Sequence, residues 1–196
     1  NLRKKEFLSL ISEGQLFPLY HEIPYREPYK VYENLDIKGE GILLESVKGP
    51  FNIARYSFIA FDPYITFKAK DKEIEIRRII SGSNGSKSLS SVCSLRDPLE
   101  KLKELLKIYP QKDLDELPPF QGGAIGLISY DFVRYIEKIP ELSKDDLKIP
   151  DIHFILVDKV IAFDHMKEKA WIIISPGARE TELGYRDLAQ IDWDNA

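Results

Sequence analysis

Polar side chains interrupt two apolar stretches between Leu43 and Asp62, where the sequence reads LLESVKGPFNIARYSFIAFD. Glu45 and Ser46 follow the first apolar stretch, and Arg55 and Ser57 stand at the start of the second. A charged side chain inside an apolar segment is costly unless it is paired or bound to a ligand. These residue types together could recognise a small zwitterion.

In that interpretation, Glu45 binds an ammonium group, and Arg55 or backbone N–H groups bind a carboxylate. Ser46 and Ser57 add hydrogen bonds. The neighbouring aromatic residues Tyr56 and Phe58 would face a flat apolar side chain. A second interpretation stays open at this point: Glu45 and Arg55 pair with each other, and the segment is part of a mixed α+β scaffold without a ligand.

The elements that would position these residues are two buried strands joined by a turn at Val47–Pro50. Successive side chains of a strand point to opposite faces. Leu44 and Ser46 therefore share one face of the first strand, and Glu45 points away from it. In the second strand, alternation places Tyr56, Phe58 and Ala60 on one face and Arg55, Ser57, Ile59 and Phe61 on the other. The nearly continuous apolar run predicts that the second strand is covered on both faces.

The remaining chain predicts further strands and short helices. Alternating residues between Ile65 and Ile80 predict a hairpin, and Asp97-Pro98 is typical of a helix start. The serine-rich segment Ser81–Ser91 predicts a flexible loop. The other predicted elements are helices at Lys4–Glu13 and Pro28–Leu35, and strands at Leu16–Ile23, Ile152–Phe163 and Ala170–Ile174. The predicted fold is α+β: a curved, mainly antiparallel sheet with helices packed outside, half of a larger α/β sandwich.

Three glycines interrupt a predicted strand at Gln121–Tyr130. Gly122, Gly123 and Gly126 would let a backbone or a ligand approach closely. We favour tight strand packing as their role over a catalytic one.

Composition excludes several function classes. The chain has 196 residues, a net charge of −4 and 31% charged residues, with no basic cluster, so a nucleic-acid surface is not expected. The single cysteine, Cys93, excludes a disulfide framework, and no apolar run reaches the roughly 20 residues of a membrane helix. We expect a cytoplasmic protein without a membrane partner. The three histidines, His21, His153 and His165, are dispersed, so we predict no metal ligands, and we predict no catalytic residues.

Several motifs occur in an order that resembles a known family. LLES is followed by Gly49-Pro50, by RYSF and Asp62-Pro63, and later by GGAIGLISYDFVR. This order, together with the opening EFLSLISEGQLFPLYHEI, resembles the N-terminal portion of anthranilate synthase component I, a chorismate-utilising enzyme. The resemblance runs from about Phe7 to about Ser175.

The resemblance implies a lyase reaction for the complete protein. Family members convert chorismate and glutamine or ammonia to anthranilate and pyruvate, the first step of tryptophan biosynthesis. They require Mg²⁺ and a glutamine amidotransferase subunit, component II. The magnesium ligands and most chorismate contacts lie in the family's C-terminal half, whose motifs are not in this sequence. We therefore expect residues 1–176 to be the N-terminal regulatory domain, 177–196 to be a linker toward the chorismate-binding region, and this chain alone to be inactive.

The family's feedback site for L-tryptophan is built largely on the LLES and RYSF strands. Carried over by position, the implied tryptophan-binding residues are Leu44, Glu45, Ser46, Arg55, Tyr56, Ser57 and Phe58. Two alternatives remain: aminodeoxychorismate synthase component I of the folate pathway, and a non-catalytic module that binds an amino acid. Half of a sandwich would expose apolar surface, which a homo-oligomer could cover.

Overall fold

The computed structural model describes residues 2–46, 54–71, 73–82, 85–94, 97–108, 110–140, 144–182 and 190–191. The strands are β1 (Leu19–Ile23), β2 (Gly41–Leu44), β3 (Tyr56–Phe61), β4 (Ile65–Lys70), β5 (Glu73–Gly82), β6 (Gly85–Ser94), β7 (Gly123–Ile128), β8 (Ile152–Val157), β9 (Lys159–Asp164) and β10 (Lys169–Ile174). The helices are α1 (Leu2–Ser12), α2 (Pro28–Asn34), α3 (Pro98–Lys107), α4 (Val133–Ile136) and α5 (Ala178–Glu182), with a 3₁₀ turn at Tyr130–Phe132.

The first sheet has the strand order β1-β10-β9-β3-β2, and every pairing in it is antiparallel. Strand β3 lies between β2 and β9. Ser57, Ile59 and Ala60 of β3 are fully buried, as the apolar run predicted. Strand β2 is an edge strand, and Leu44 at its end is exposed, so the prediction that the first strand is buried was wrong. The predicted turn at Val47–Pro50 lies outside the described residues.

The second sheet has the order β6-β5-β4-β8-β7. Strands β5 and β6 pair antiparallel along their whole length, from Glu73 opposite Ser94 to Gly82 opposite Gly85. The loop predicted for Ser81–Ser91 was therefore wrong. Backbone pairing does not require apolar side chains, and β6 is an edge strand whose Leu89 and Val92 are exposed.

The segment predicted as one strand from Ile152 to Phe163 is two strands in different sheets. Strand β8 pairs with β4 in the second sheet, and β9 pairs with β3 and β10 in the first. The change of sheet takes place at Asp158, which is 4% exposed. The carboxylate of Asp158 is bound by the guanidinium of Arg179, at 2.8 Å from Nε to Oδ2. A buried acid inside an apolar run is thus the local sign of the break.

Helices α2 and α3 begin at the predicted positions. Pro28 occupies the first turn of α2. The Asp97 side chain accepts hydrogen bonds from the backbone N–H groups of Leu99 and Glu100 and caps α3. Beside α4, an i, i+3 ion pair joins Arg134 Nε to Asp131 Oδ1 at 3.0 Å.

Gly126 explains part of the glycine-rich motif. A Cβ at this position would lie 2.0 Å from the backbone oxygen of His153 and 2.6 Å from the Cα of Phe154. Strand β7 therefore approaches β8 more closely than any side chain would allow. This contact agrees with the tight strand packing that we favoured over catalysis.

The chain divides into two compact units. The first contains Asn1–Pro63, Tyr109–Gly123 and Val157–Ala196, and the second contains Tyr64–Ile108 and Ala124–Leu156. The α+β class and the antiparallel sheets are confirmed, with the strands distributed over two sheets. The domain boundary near residue 176 remains a prediction. No helix in the described part of the chain is long and apolar enough to cross a bilayer.

Candidate functional site

The pairing of β2 with β3 brings the two sequence motifs side by side. Leu44 lies opposite Phe58 in the antiparallel register. Ser46 follows the end of β2, and its backbone N–H donates to Ser57 Oγ at 3.0 Å. The LLES and RYSF segments, 11 positions apart at this contact, are therefore neighbours in space.

Along the start of β3, half-buried side chains alternate with buried ones, as expected for a strand with one partly exposed face. Tyr56 and Phe58 are half-buried on one face of β3, with ring centroids 6.2 Å apart. The ring of Phe120 meets Phe58 edge to face at 5.6 Å. Glu45 and Leu44 are exposed at the sheet edge. The site thus has an aromatic surface beside an exposed carboxylate, which is open to further contacts.

The Ser57 hydroxyl lies at the centre of a hydrogen-bonded group. Besides accepting from Ser46, its Oγ lies 2.7 Å from His165 Nε2. The other ring nitrogen of His165, Nδ1, lies 2.7 Å from the Tyr25 hydroxyl. Ser57 is fully buried, so these polar partners satisfy a hydroxyl that would otherwise be costly to bury.

Arg55 is bound by Asp164 rather than by Glu45. Its Nη2 lies 2.7 Å from Asp164 Oδ2, and Nε lies 3.1 Å from Oδ1. The guanidinium also lies over the Tyr56 ring, 4.7 Å from the centroid. Asp164 engages Nε and Nη2, so Nη1 is the guanidinium nitrogen outside this bidentate pair. The second sequence interpretation, a Glu45–Arg55 pair, is not what the structure has.

The charge state of this pair follows from its contacts. Burial by itself would raise the pKa of Asp164, but hydrogen bonds from Arg55 and from the backbone N–H groups of Lys167 and Met166 lower it below its ordinary value of 3.8. The hydrogen bond to Asp164 raises the pKa of Arg55. Asp164 therefore stays ionised and fixes the turn between β9 and β10.

Sequence reasoning missed four residues that surround the candidate site: Tyr25, Phe120, Asp164 and His165. Asp164 ends the buried strand β9 and His165 follows it, and the register Tyr56 opposite Asp164 brings both residues to the motif. Their separation of 109 positions from Arg55 and 108 from Ser57 hides this proximity in the sequence. A polar pair directly after an apolar strand was the available signal.

The second unit contains a cavity with a volume of about 640 Å³. It is lined mostly by charged side chains, including Lys70, Arg134, Asp145 and Asp151. Lys70 Nζ lies 2.5 Å from Asp145, and the Tyr135 hydroxyl donates to Asp151 at 3.0 Å. These charges bind one another.

Among the residues that the structure describes, no group of three or more His, Cys, Asp or Glu side chains is arranged to hold a metal ion.

Comparison with known proteins gives a consistent family match. Residues 40–190 match the family model described as chorismate binding enzyme. The chain is 36% identical over 151 residues to aminodeoxychorismate synthase component 1 of Bacillus subtilis, covering 77% of this chain and 29% of that protein. It is 36% identical over 196 residues to anthranilate synthase component 1 of Saccharomyces cerevisiae, covering 93% of this chain and 34% of that protein.

A solved structure is also similar. The crystal structure of anthranilate synthase component I from Streptococcus pneumoniae TIGR4 is 28% identical, covers 81% of this chain and 33% of that chain, and has a TM-score of 0.49. The chain spans about a third of the length of the curated relatives described above.

Proposed function

Because this chain belongs to the chorismate-binding enzyme family, we propose that it is the N-terminal part of the large subunit of anthranilate synthase and carries most of a tryptophan feedback site. The observation that carries the proposal is the contact between the two motifs. Strand pairing places Leu44 opposite Phe58, and the Ser46 N–H donates to Ser57 Oγ. The proposed effector residues are Leu44, Glu45, Ser46, Arg55, Tyr56, Ser57 and Phe58.

The chemistry of the site fits an aromatic amino acid. The exposed Glu45 carboxylate would bind the ammonium group, and Tyr56 and Phe58 would pack against the indole. Burying about 150–250 Å² of indole contributes roughly 4–6 kcal/mol at about 25 cal/mol per Å². Micromolar affinity requires about 8 kcal/mol, so polar contacts must supply the remainder.

The carboxylate of tryptophan has a restricted choice of partners. Asp164 already holds Nε and Nη2 of Arg55, so a ligand carboxylate would use Nη1 or a backbone N–H. Because Asp164 binds one edge of the guanidinium, Arg55 is held in place before the ligand binds. Pre-organisation of this kind reduces the ordering cost of binding.

The complete enzyme would take chorismate and ammonia from a component II amidotransferase and release anthranilate and pyruvate. We place its Mg²⁺ ligands outside the described residues, and we expect this chain alone to be inactive. We also propose a cytoplasmic location. Feedback requires that tryptophan binding changes the chorismate reaction, which is a coupling between two sites.

Substitution of Ser46 by phenylalanine tests the effector site in the complete subunit. The phenyl ring would fill the proposed effector site, so the tryptophan concentration for half-inhibition should rise by about a hundredfold or more, equivalent to about 2.8 kcal/mol. The matched control is Ser90→Phe, the same change at an exposed position of β6. Normal tryptophan inhibition in Ser46→Phe would contradict the assignment.

Aminodeoxychorismate synthase component I is the second candidate function, because the Bacillus subtilis relative of that name is as similar as the yeast anthranilate synthase. A product assay on the complete protein with chorismate, Mg²⁺ and ammonia separates the two candidates. Formation of anthranilate together with pyruvate supports the first. Turnover of chorismate without anthranilate supports the second.

A further inference from the structure

A chain of hydrogen bonds connects the proposed effector site to a residue outside both sequence motifs. It runs from the Ser46 N–H to Ser57 Oγ at 3.0 Å, from Ser57 Oγ to His165 Nε2 at 2.7 Å, and from His165 Nδ1 to the Tyr25 hydroxyl at 2.7 Å. Its four members lie in two of the chain segments that make up the first unit, Asn1–Pro63 and Val157–Ala196. No sequence motif that we identified includes Tyr25 or His165.

The position of Ser46 depends on this chain. The paired register of β2 and β3 ends at Leu44 opposite Phe58, so Ser46 lies beyond the strand ladder. Its N–H is bound by a side chain, Ser57, instead of by a backbone carbonyl. Ser57 in turn is fully buried and has His165 as its second partner. The positions of Ser46 and of the preceding Glu45 therefore depend on the His165 ring.

The His165 ring is held independently of Ser57. Its backbone N–H donates to the Arg55 carbonyl at 2.9 Å, and the preceding Asp164 is bound by Arg55. The Tyr25 ring meets His165 edge to face, with centroids 6.1 Å apart. The backbone hydrogen bond therefore fixes the chain at His165, and the hydroxyl and ring of Tyr25 hold the imidazole.

The direction of these hydrogen bonds determines which bonds the Ser57 hydroxyl accepts and whether it keeps a proton to donate. A serine hydroxyl donates one hydrogen bond and accepts two. If Tyr25 donates to Nδ1, then Nε2 carries the proton and donates to Ser57 Oγ, and the Ser57 proton is left for a third group. Burial first, and then the carboxylates of Glu27, Glu168 and Glu45, raise the pKa of Tyr25, so its hydroxyl keeps the proton that this arrangement needs.

We propose that His165 and Tyr25 are positioning residues of the effector site: they hold the buried Ser57 hydroxyl so that it fixes Ser46, and with Ser46 the neighbouring Glu45, which binds the ammonium group of the amino acid. This inference rests on the function proposed above. Neither His165 nor Tyr25 touches the ligand in this proposal.

Calorimetric titration of tryptophan into the complete subunit tests the proposal. His165→Ala should weaken tryptophan affinity by about tenfold, the size of one lost hydrogen bond to a charged group. His165→Gln, whose amide reaches the Nε2 position, should recover most of that loss. His165→Asn, whose amide reaches only the Nδ1 position, should not. The matched control is His21→Ala, at an exposed position of β1.

Tyr25→Phe removes a single hydroxyl and keeps the aromatic contact, so it remains informative if His165→Ala does not fold. It should weaken tryptophan affinity by about threefold to fivefold, as expected for one neutral hydrogen bond. The melting temperature of each variant is measured in parallel. A role in stability alone would lower the melting temperature equally in His165→Gln and His165→Asn and leave both affinities unchanged.

The outcomes separate the two claims. Unmodified subunit that binds no tryptophan overturns the proposed effector site, and the positioning role with it. Unmodified subunit that binds tryptophan, together with a folded His165→Ala and Tyr25→Phe of unchanged affinity, overturns the positioning role alone. Recovery by glutamine but not by asparagine supports it.

Discussion

The ion pairs compared here in the two units differ in how deeply their side chains are buried. In the first unit, Asp158 and Asp164 are nearly inaccessible, and each is held by an arginine, Arg179 and Arg55 respectively. In the second unit, Lys70 and Asp145 form their ion pair at the rim of an open cavity, with 29% and 50% of their side chains exposed. Breaking a buried pair leaves an uncompensated charge, whereas an exposed pair contributes little. Removing one partner of either buried pair in the first unit should therefore cost more stability than removing Asp145 in the second.

Removal of Arg179 is expected to cause the largest loss. Its guanidinium binds Asp158 through Nε and Nη2 and also contacts Asp62. Arg179→Met would leave the Asp158 carboxylate buried without its partner, so the free energy of unfolding should fall by about 3–5 kcal/mol. Urea denaturation measures the change.

The matched control is Lys101→Met in the second unit, where the pair with Glu104 is exposed, and it should have a much smaller effect. Adding Asp158→Asn to Arg179→Met should restore part of the stability, because the uncompensated charge disappears. Equal effects of Arg179→Met and Lys101→Met would contradict the comparison between the two units.

Backbone packing reverses the comparison, because Gly126, whose added Cβ would lie closest to the backbone among the glycines compared, is in the second unit. In Gly126→Ala, the added methyl group would meet the His153 carbonyl at 2.0 Å, and strands β7 and β8 would have to separate. We expect a loss of about 3 kcal/mol in the free energy of unfolding, at the upper end for overpacking. The control is Gly41→Ala in β2, where the nearest atoms are in the Ile37 side chain, at 3.0 and 3.2 Å. A loss as large in Gly41→Ala would show that close backbone approach is not the cause.

The sequence predicted the elements whose signals are local. Asp97-Pro98 marks the start of α3, apolar alternation marks the β4–β5 hairpin, and apolar runs mark the β2–β3 pair. The candidate residues of LLES and RYSF could be placed together because they belong to consecutive strands. Each of these inferences needed only a few neighbouring residues.

The sequence did not predict features that depend on distant partners. Serine-rich β6 has no apolar pattern, and its strand structure comes from the register that β5 supplies. The break at Asp158 depends on Arg179, which lies 21 positions later and binds the buried Asp158 carboxylate. His165 looked like an isolated turn residue, because its contacts with Tyr25 and Ser57 are formed by strand pairing across more than half of the chain.

Substitution of Asp164 should cause the smallest of these losses in the free energy of unfolding, and the loss should depend on pH. The pKa of Asp164 in the folded protein lies below its ordinary value of 3.8. Its stabilising contribution is therefore fully present above that ordinary value and is lost as the pH falls through the lowered pKa. Asp164→Asn should lower the free energy of unfolding by about 1.5–3 kcal/mol at pH 7, the range for hydrogen bonds to a charged group.

The difference between Asp164→Asn and the unmodified protein should shrink as the pH falls below 3.8, where the unfolded chain takes up the proton first. Urea denaturation at a series of pH values between 7 and 3 measures it. Asp145→Asn is the control in the second unit: Lys70 also lowers the pKa of Asp145, but its exposure makes the expected loss smaller. A constant difference across the pH series would show that the Asp164 side chain acts through its shape and hydrogen bonds, and that its charge is not what distinguishes the first unit from the second.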